Sequence, residues 1–254
     1  MIDFLRNILA MMELEVRRLR HDRTEIYTRA VQPILWLVVY GSVMAAAKVI
    51  QTGGIPYIDF ITPGVLIQST TFVAIFYGLT IVWERESGVL KKLLVTPASK
   101  YSIVIGRSMS SGVRAIIQSL IVVIVALLIG VKILPNPLYF AFALAIIFFA
   151  SGGFAAVSIL VASFMKTRER FMGIGQVITM PLFFASNALY PIQMMPLALQ
   201  YFATVNPLSY VVDAVRGLMI SGDLSNLLVD VAFIAAFDAI MFTLAAISFK
   251  RIIE

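Results

Sequence analysis

The chain has 254 residues, 60% of them hydrophobic and 13% charged, with a formal net charge of +6. A soluble domain of this size needs a charged exterior that such a composition does not supply, so a bilayer is the solvent that fits. The basic excess therefore reads as membrane topology and not as nucleic-acid binding, and the lack of cysteine excludes disulfides and thiolate metal sites.

Residues 1–29 mix five carboxylates with six arginines and contain no continuous apolar core, so they are no signal peptide. Ile2, Leu5, Leu9, Met12, Val16 and Leu19 recur at helical spacing, which predicts an amphipathic helix. It lies either in the membrane interface or packed on the charged loop described below. His21, the lone histidine, sits between Arg20 and Asp22 and reads as a surface residue.

A transmembrane helix needs about 20 apolar residues. Six segments qualify: Val31 to Ala47, Phe60 to Val82, Ala115 to Val131, Leu138 to Met165, Phe171 to Leu189 and Leu227 to Phe249. Pro181 is expected to bend the fifth. Seventeen Lys and Arg fall on one side of these spans, and only Lys48, Lys132 and Arg216 on the other. The positive-inside rule then places both termini in the cytosol. In the fourth span Gly152 and Ala156, then Ser158 and Ala162, form small-xxx-small pairs, so this helix is expected to be a central packing element.

Two connections carry more information than the spans. Residues 83–114 form a charged inner loop containing Glu84, Arg85, Glu86, Lys91 and Lys92. Within it Val89, Leu90, Leu93 and Leu94 recur at i, i+4, a short amphipathic helix following Gly88, and Thr96-Pro97 reads as its stop and the cap of a second helix. Lys100, Arg107 and Arg114 lie seven apart, on one stripe of that second helix. Such patterning predicts a docking surface for a cytosolic partner. The outer connection, residues 190–226, is divided by Pro191, Pro196 and Pro207, with Asn206-Pro207 reading as an N-cap and first-turn pair. Its apolar pieces, Leu197 to Val205 and Leu208 to Ile220, are too short to span and predict re-entrant half-helices that close the outer mouth of a pathway. Asp213 and Arg216 are placed to pair on the second piece.

Polar residues inside the spans are few. Asp238 lies mid-way along the sixth, where a carboxylate costs about 2.5–3.5 kcal/mol, so it should face the bundle or a cavity. It is either part of a substrate path or proton relay, or a carboxyl hydrogen-bonded to a neighbouring helix. Gln118 and Gln176 are further candidates for a path.

The stretches WERESGVLKKLLVTPAS followed by IGR, and LYPIQMMPLALQYFATVNPLSYVVDAVRG, resemble the permease subunits of type-2 ABC exporters, nearest to the daunorubicin-resistance and nodulation-factor branch. The resemblance implies a single all-α permease domain over residues 1–254, paired with a second copy of itself and with two copies of a cytosolic ABC ATPase. ATP and magnesium would be bound by that ATPase and no cofactor by this chain, in the cell membrane of a prokaryote, among membrane lipids. It further implies that Glu84, Arg85, Glu86, Gly88, Leu90, Lys91, Lys92, Leu93 and Pro97 couple to the ATPase. Tyr190, Pro191, Pro196, Asn206 and Pro207 would form the outer gate. The cargo would be a hydrophobic or amphipathic compound, or a lipid-linked polysaccharide in relatives of the same layout. No G-x-x-x-x-G-K-[ST] occurs, which agrees with a separate ATPase, and no catalytic constellation is present. A proton-coupled carrier using Asp238 is the rival class.

Overall fold

The computed structural model describes residues 2–21, 23–87, 100–165 and 167–249. Its regular elements in the described residues are all helical: α1 (Ile2–His21), α2 (Arg23–Leu35), a π-helical turn (Trp36–Gly41), α3 (Ser42–Ala47), α4 (Tyr57–Glu86), α5 (Lys100–Leu128), α6 (Pro137–Phe164) and α7 (Arg168–Phe184). A 3₁₀ turn (Ile192–Met194), α8 (Leu197–Val205), α9 (Pro207–Arg216), a second π turn (Gly217–Ser221) and α10 (Leu227–Ser248) follow.

Five of these stretches are long and apolar enough to cross a membrane: Thr28–Ala47, Tyr57–Arg85, Tyr101–Leu128, Pro137–Phe164 and Leu227–Ser248. The segment expected as the fifth span is shorter than the others. Its helix, α7, has 17 residues, about 25 Å of rise, and ends at Phe184 instead of Leu189. Pro181 lies inside this helix and does not end it: the turn beyond it closes with the Ala185 amide on the Pro181 carbonyl at 2.9 Å. Residues 185–189 continue as irregular backbone that is buried throughout.

The charged connection after α4 is shorter than the sequence suggests. Residues 83–86 are the last turn of α4, and α5 runs without a break from Lys100 into the apolar stretch ending at Leu128. At the other end of the chain's first third, residues 23–29 belong to α2, the helix that leads into the first apolar stretch, and not to α1.

α6 is the central element, packed along α4, α5 and α10. Its Ser151 to Ala156 stretch, Ser158 and Ala162 are all buried, as the small-residue spacing predicts. Ser158 accepts a hydrogen bond from the Gly78 amide of α4 at 2.9 Å and donates to the Ile75 carbonyl. Gly153 faces Asp238 of α10 so closely that a Cβ there would overlap the carboxylate. Gly64 of α4 lies against the backbone of Ala188 in the same way, which is how the irregular 185–189 segment fits beside a span.

Candidate functional site

At the end of the bundle that carries most of the arginines, α1 packs on the first turns of α5. Gly106 lets it approach, lying against Ile8 and Met11. The buried row of α1 therefore includes Glu15 and Leu19, while Leu9, expected on the apolar face, is 62% exposed.

This packing buries a set of charges. Arg107 of α5 donates to Glu84 of α4 at 2.7 Å, with Glu84 only 1% exposed. Arg18 of α1 stands 3.6 Å from the other oxygen of Glu84. Two turns further along α5, Arg114 pairs with Glu15 of α1. The Tyr77 hydroxyl of α4 donates to Glu15 at 3.1 Å, and the Arg114 guanidinium lies 5.3 Å from the centre of the Tyr77 ring. Three helices are thus joined by two buried carboxylates and their arginines. A cavity of about 450 Å³ opens beside them, reaching Arg29, Trp83 and Arg168.

The basic stripe read from sequence as a docking face is turned inward at Arg107 and Arg114, because Glu84 and Glu15 provide countercharges that spacing along α5 does not reveal. Of the residues expected to touch a partner, Glu84 is enclosed and Arg85 donates to the Met165 carbonyl at 2.7 Å. Gly88, Leu90, Lys91, Lys92, Leu93, Pro97 and the side chain of Glu86 lie outside the described residues. Glu15 and Tyr77 were not singled out from sequence. The signal for Glu15 is the row Met11, Glu15, Leu19, where a carboxylate interrupts an apolar i, i+4 series.

The opposite end is built on the proline-divided segment. Asn206 caps α9, its Oδ1 accepting from the Leu208 amide at 3.0 Å, with Pro207 at the first helical position. Its Nδ2 donates to the carbonyls of Leu182 at 2.8 Å and Ala185 at 3.0 Å, which satisfies the end of α7. Pro191 precedes the 3₁₀ turn and Pro196 precedes α8. Tyr190 donates to the Phe184 carbonyl at 2.6 Å, and burial pushes its phenol above the usual range, so it stays a donor. Tyr57 of α4 donates to the Leu189 carbonyl at 3.0 Å.

Arg216 fastens this end together. It pairs with Asp213 at 3.2 Å, as the i, i+3 spacing predicts, and donates to the carbonyls of Asn187 at 2.6 Å and Phe60 at 3.3 Å. Its guanidinium also lies 4.0 Å from the centre of the Phe60 ring. One buried side chain thereby joins α9, α4 and the 185–189 segment.

The three polar residues considered for a path are not brought together. Gln118 of α5 is buried and donates to the Arg29 carbonyl at 3.4 Å. Gln176 lies on the exposed face of α7. Asp238 is buried between α10 and α6, and the hydrogen-bonded carboxyl considered as one reading is not formed at Oδ1, which has no partner.

A helical bundle of this apolar length, with both ends tied by buried arginines, defines a multi-pass membrane protein. A family model described as ABC-2 type transporter matches residues 6–220, and the chain belongs to that family. It is 27% identical over 222 residues to a putative transport permease ycf38 of Cyanophora paradoxa, covering 85% of this chain and 74% of that protein. It is 30% identical to a protein of the same description from Porphyra purpurea, covering 73% of this chain and 64% of that one. Nodulation protein J of Rhizobium leguminosarum bv. viciae is 22% identical, with 86% and 84% covered. A probable multidrug ABC transporter permease, YbhR, of Escherichia coli K12 is 31% identical over 163 residues, 62% of this chain and 42% of that protein. The ycf38 and YbhR relatives are named as permeases, and the family is one that generally works with an ATP-binding partner.

Proposed function

We propose that this chain is the membrane-spanning subunit of an ATP-driven exporter. In this reading α7, although short, completes a sixth crossing together with the buried 185–189 segment, and both termini lie in the cytosol. Two copies form the pathway, each served by one ATPase subunit, in a prokaryotic cell membrane. The arginine-rich end is then the cytosolic end, the inner loop is the coupling element, and α8, α9 and their flanking prolines form the outer gate. The cargo is a hydrophobic or amphipathic compound.

The observation that carries the reading is the Glu84–Arg107 pair. It ties the last turn of α4 to the first turns of α5, so the two helices flanking residues 88–99 are locked to each other and, through Glu15 and Arg114, to α1. A push on the loop is transmitted to two spans at once instead of being absorbed by a swinging hairpin. Glu84 serves in this account as a positioning residue, and Lys91, Lys92, Leu90 and Leu93 provide the contact.

The test is co-purification with the ATPase encoded nearest the gene, followed by reconstitution in liposomes. ATP-dependent movement of a hydrophobic dye is the expected result. Dye movement by the chain alone on a proton gradient, without ATP, overturns it and favours the carrier reading that the unpartnered Asp238 carboxylate supports.

A further inference from the structure

Glu15 and Glu84, two of the buried carboxylates, each have an arginine beside them. Asp238 has none. It is 6% exposed, its Oδ1 is without a hydrogen-bond partner, and it stands eleven residues from the start of a 22-residue apolar helix, hence near mid-membrane. A charge there needs a partner or a proton, because hydrocarbon provides neither.

Beside it lies a cavity of about 750 Å³ between α6 and α10. Among the described residues that line it, Asp238 is the only ionisable one; the walls are Phe142, Phe149, Val231, Ala235 and Phe242 with further aliphatic side chains. Phe142 and Phe149 are more than half exposed, so the cavity is a groove open to the side, towards the acyl chains of a bilayer. Its size suits one drug-sized or single-chain molecule. The groove is therefore apolar along its length, with one acidic group on its wall.

We propose that the α6–α10 groove is a binding site for a lipophilic amine. The protonated nitrogen sits against the Asp238 carboxylate, where a charge-assisted hydrogen bond in low dielectric is strong, and the hydrocarbon body lies along Phe142, Phe149 and Phe242. Gly153 is what makes the acidic position habitable, since any larger residue on α6 would displace the carboxylate from the groove wall. The site is reached from the membrane and stands apart from the inner loop and the outer gate. Binding there does not depend on the exporter reading.

The experiment is photolabelling of the purified chain in nanodiscs, without nucleotide or ATPase. The probes are a dodecyl diazirine bearing a terminal amine and the same chain ending in an alcohol, with labelled peptides mapped by mass spectrometry. The amine is expected to label residues 142–149 and 228–242 about fivefold more than the alcohol, the increment of one charge-assisted hydrogen bond. Asp238→Asn should remove that preference while alcohol labelling persists, Asp238→Glu should retain it, and Ala235→Trp should exclude both probes. Equal labelling of the wild-type chain by the two probes, or amine labelling centred elsewhere, overturns the proposal with no variant required. An unchanged preference in Asp238→Asn overturns it as well.

Discussion

The Arg107 guanidinium and the Glu84 carboxylate lie 2.7 Å apart, 23 residues apart in sequence, at a point where both are almost fully enclosed. Removing one member of such a pair leaves the other charged and buried, which typically costs about 3–5 kcal/mol, whereas removing both is far milder. Glu84→Gln is accordingly expected to lower the thermal unfolding midpoint of the purified protein sharply. The double variant with Arg107→Met should recover most of that loss. Additive losses in the double-mutant cycle would show that the two side chains are not coupled.

Reversal of charge at Lys91 and Lys92 tests the proposed coupling loop. These residues are outside the described structure, and the expectation is a functional one: ATPase activity loses its dependence on the chain while the unfolding midpoint is unchanged. Undiminished stimulation of the ATPase by the doubly reversed chain would count against their contact role.

At the opposite end, Arg216→Lys keeps the charge and gives up the planar fork that reaches Phe60, Asn187 and Asp213 together. The expected loss is about 2 kcal/mol of stability, since hydrogen bonds to a charged group are worth about 1.5–3 kcal/mol. Limited proteolysis should cut first within residues 185–195 if this side chain is what holds that segment against α4.

Asn206→Asp separates two duties of one residue. The cap on the Leu208 amide survives, because a carboxylate accepts as well as an amide oxygen, but the donation to Leu182 and Ala185 is lost. A drop in stability for Asn206→Asp approaching that of Asn206→Ala would assign the residue's value to the end of α7. A wild-type midpoint would assign it to the cap.

Gly153→Ala places a methyl group where the Asp238 carboxylate now lies. Helices α6 and α10 must separate to admit it, and overpacking of this kind costs about 1–3 kcal/mol. Combining it with Asp238→Ala should restore stability, because the second truncation vacates the same space. Persistence of the full loss in the double variant would place the strain elsewhere on α6.

Features set by local spacing were legible in the sequence. α8 spans the same Leu197–Val205 piece that its flanking prolines mark off, Asn206 caps the next helix, and Asp213 meets Arg216 one turn on. The small residues of α6 likewise announced a helix with neighbours on several sides. What could not be read was pairing between distant elements. Arg107 and Arg114 look like a solvent-facing stripe until α1 and α4 bring Glu15 and Glu84 to them from 99 and 23 residues away. Gln118 meets a backbone carbonyl of α2 for the same reason, and the end of α7 is satisfied by Asn206 from 21 and 24 residues away. Periodicity reports which face of a helix is apolar, and it is silent on charges that are cancelled from outside.

Arg107 and Arg114 are seven residues apart on one helix, nearly aligned, and are held by two different neighbours. If α5 spins about its own axis, both clasps open together. If it tilts as a lever with α1 and α4 in tow, neither opens. These two clasps therefore oppose a turn of α5 about its axis and leave a joint tilt of the three helices unopposed.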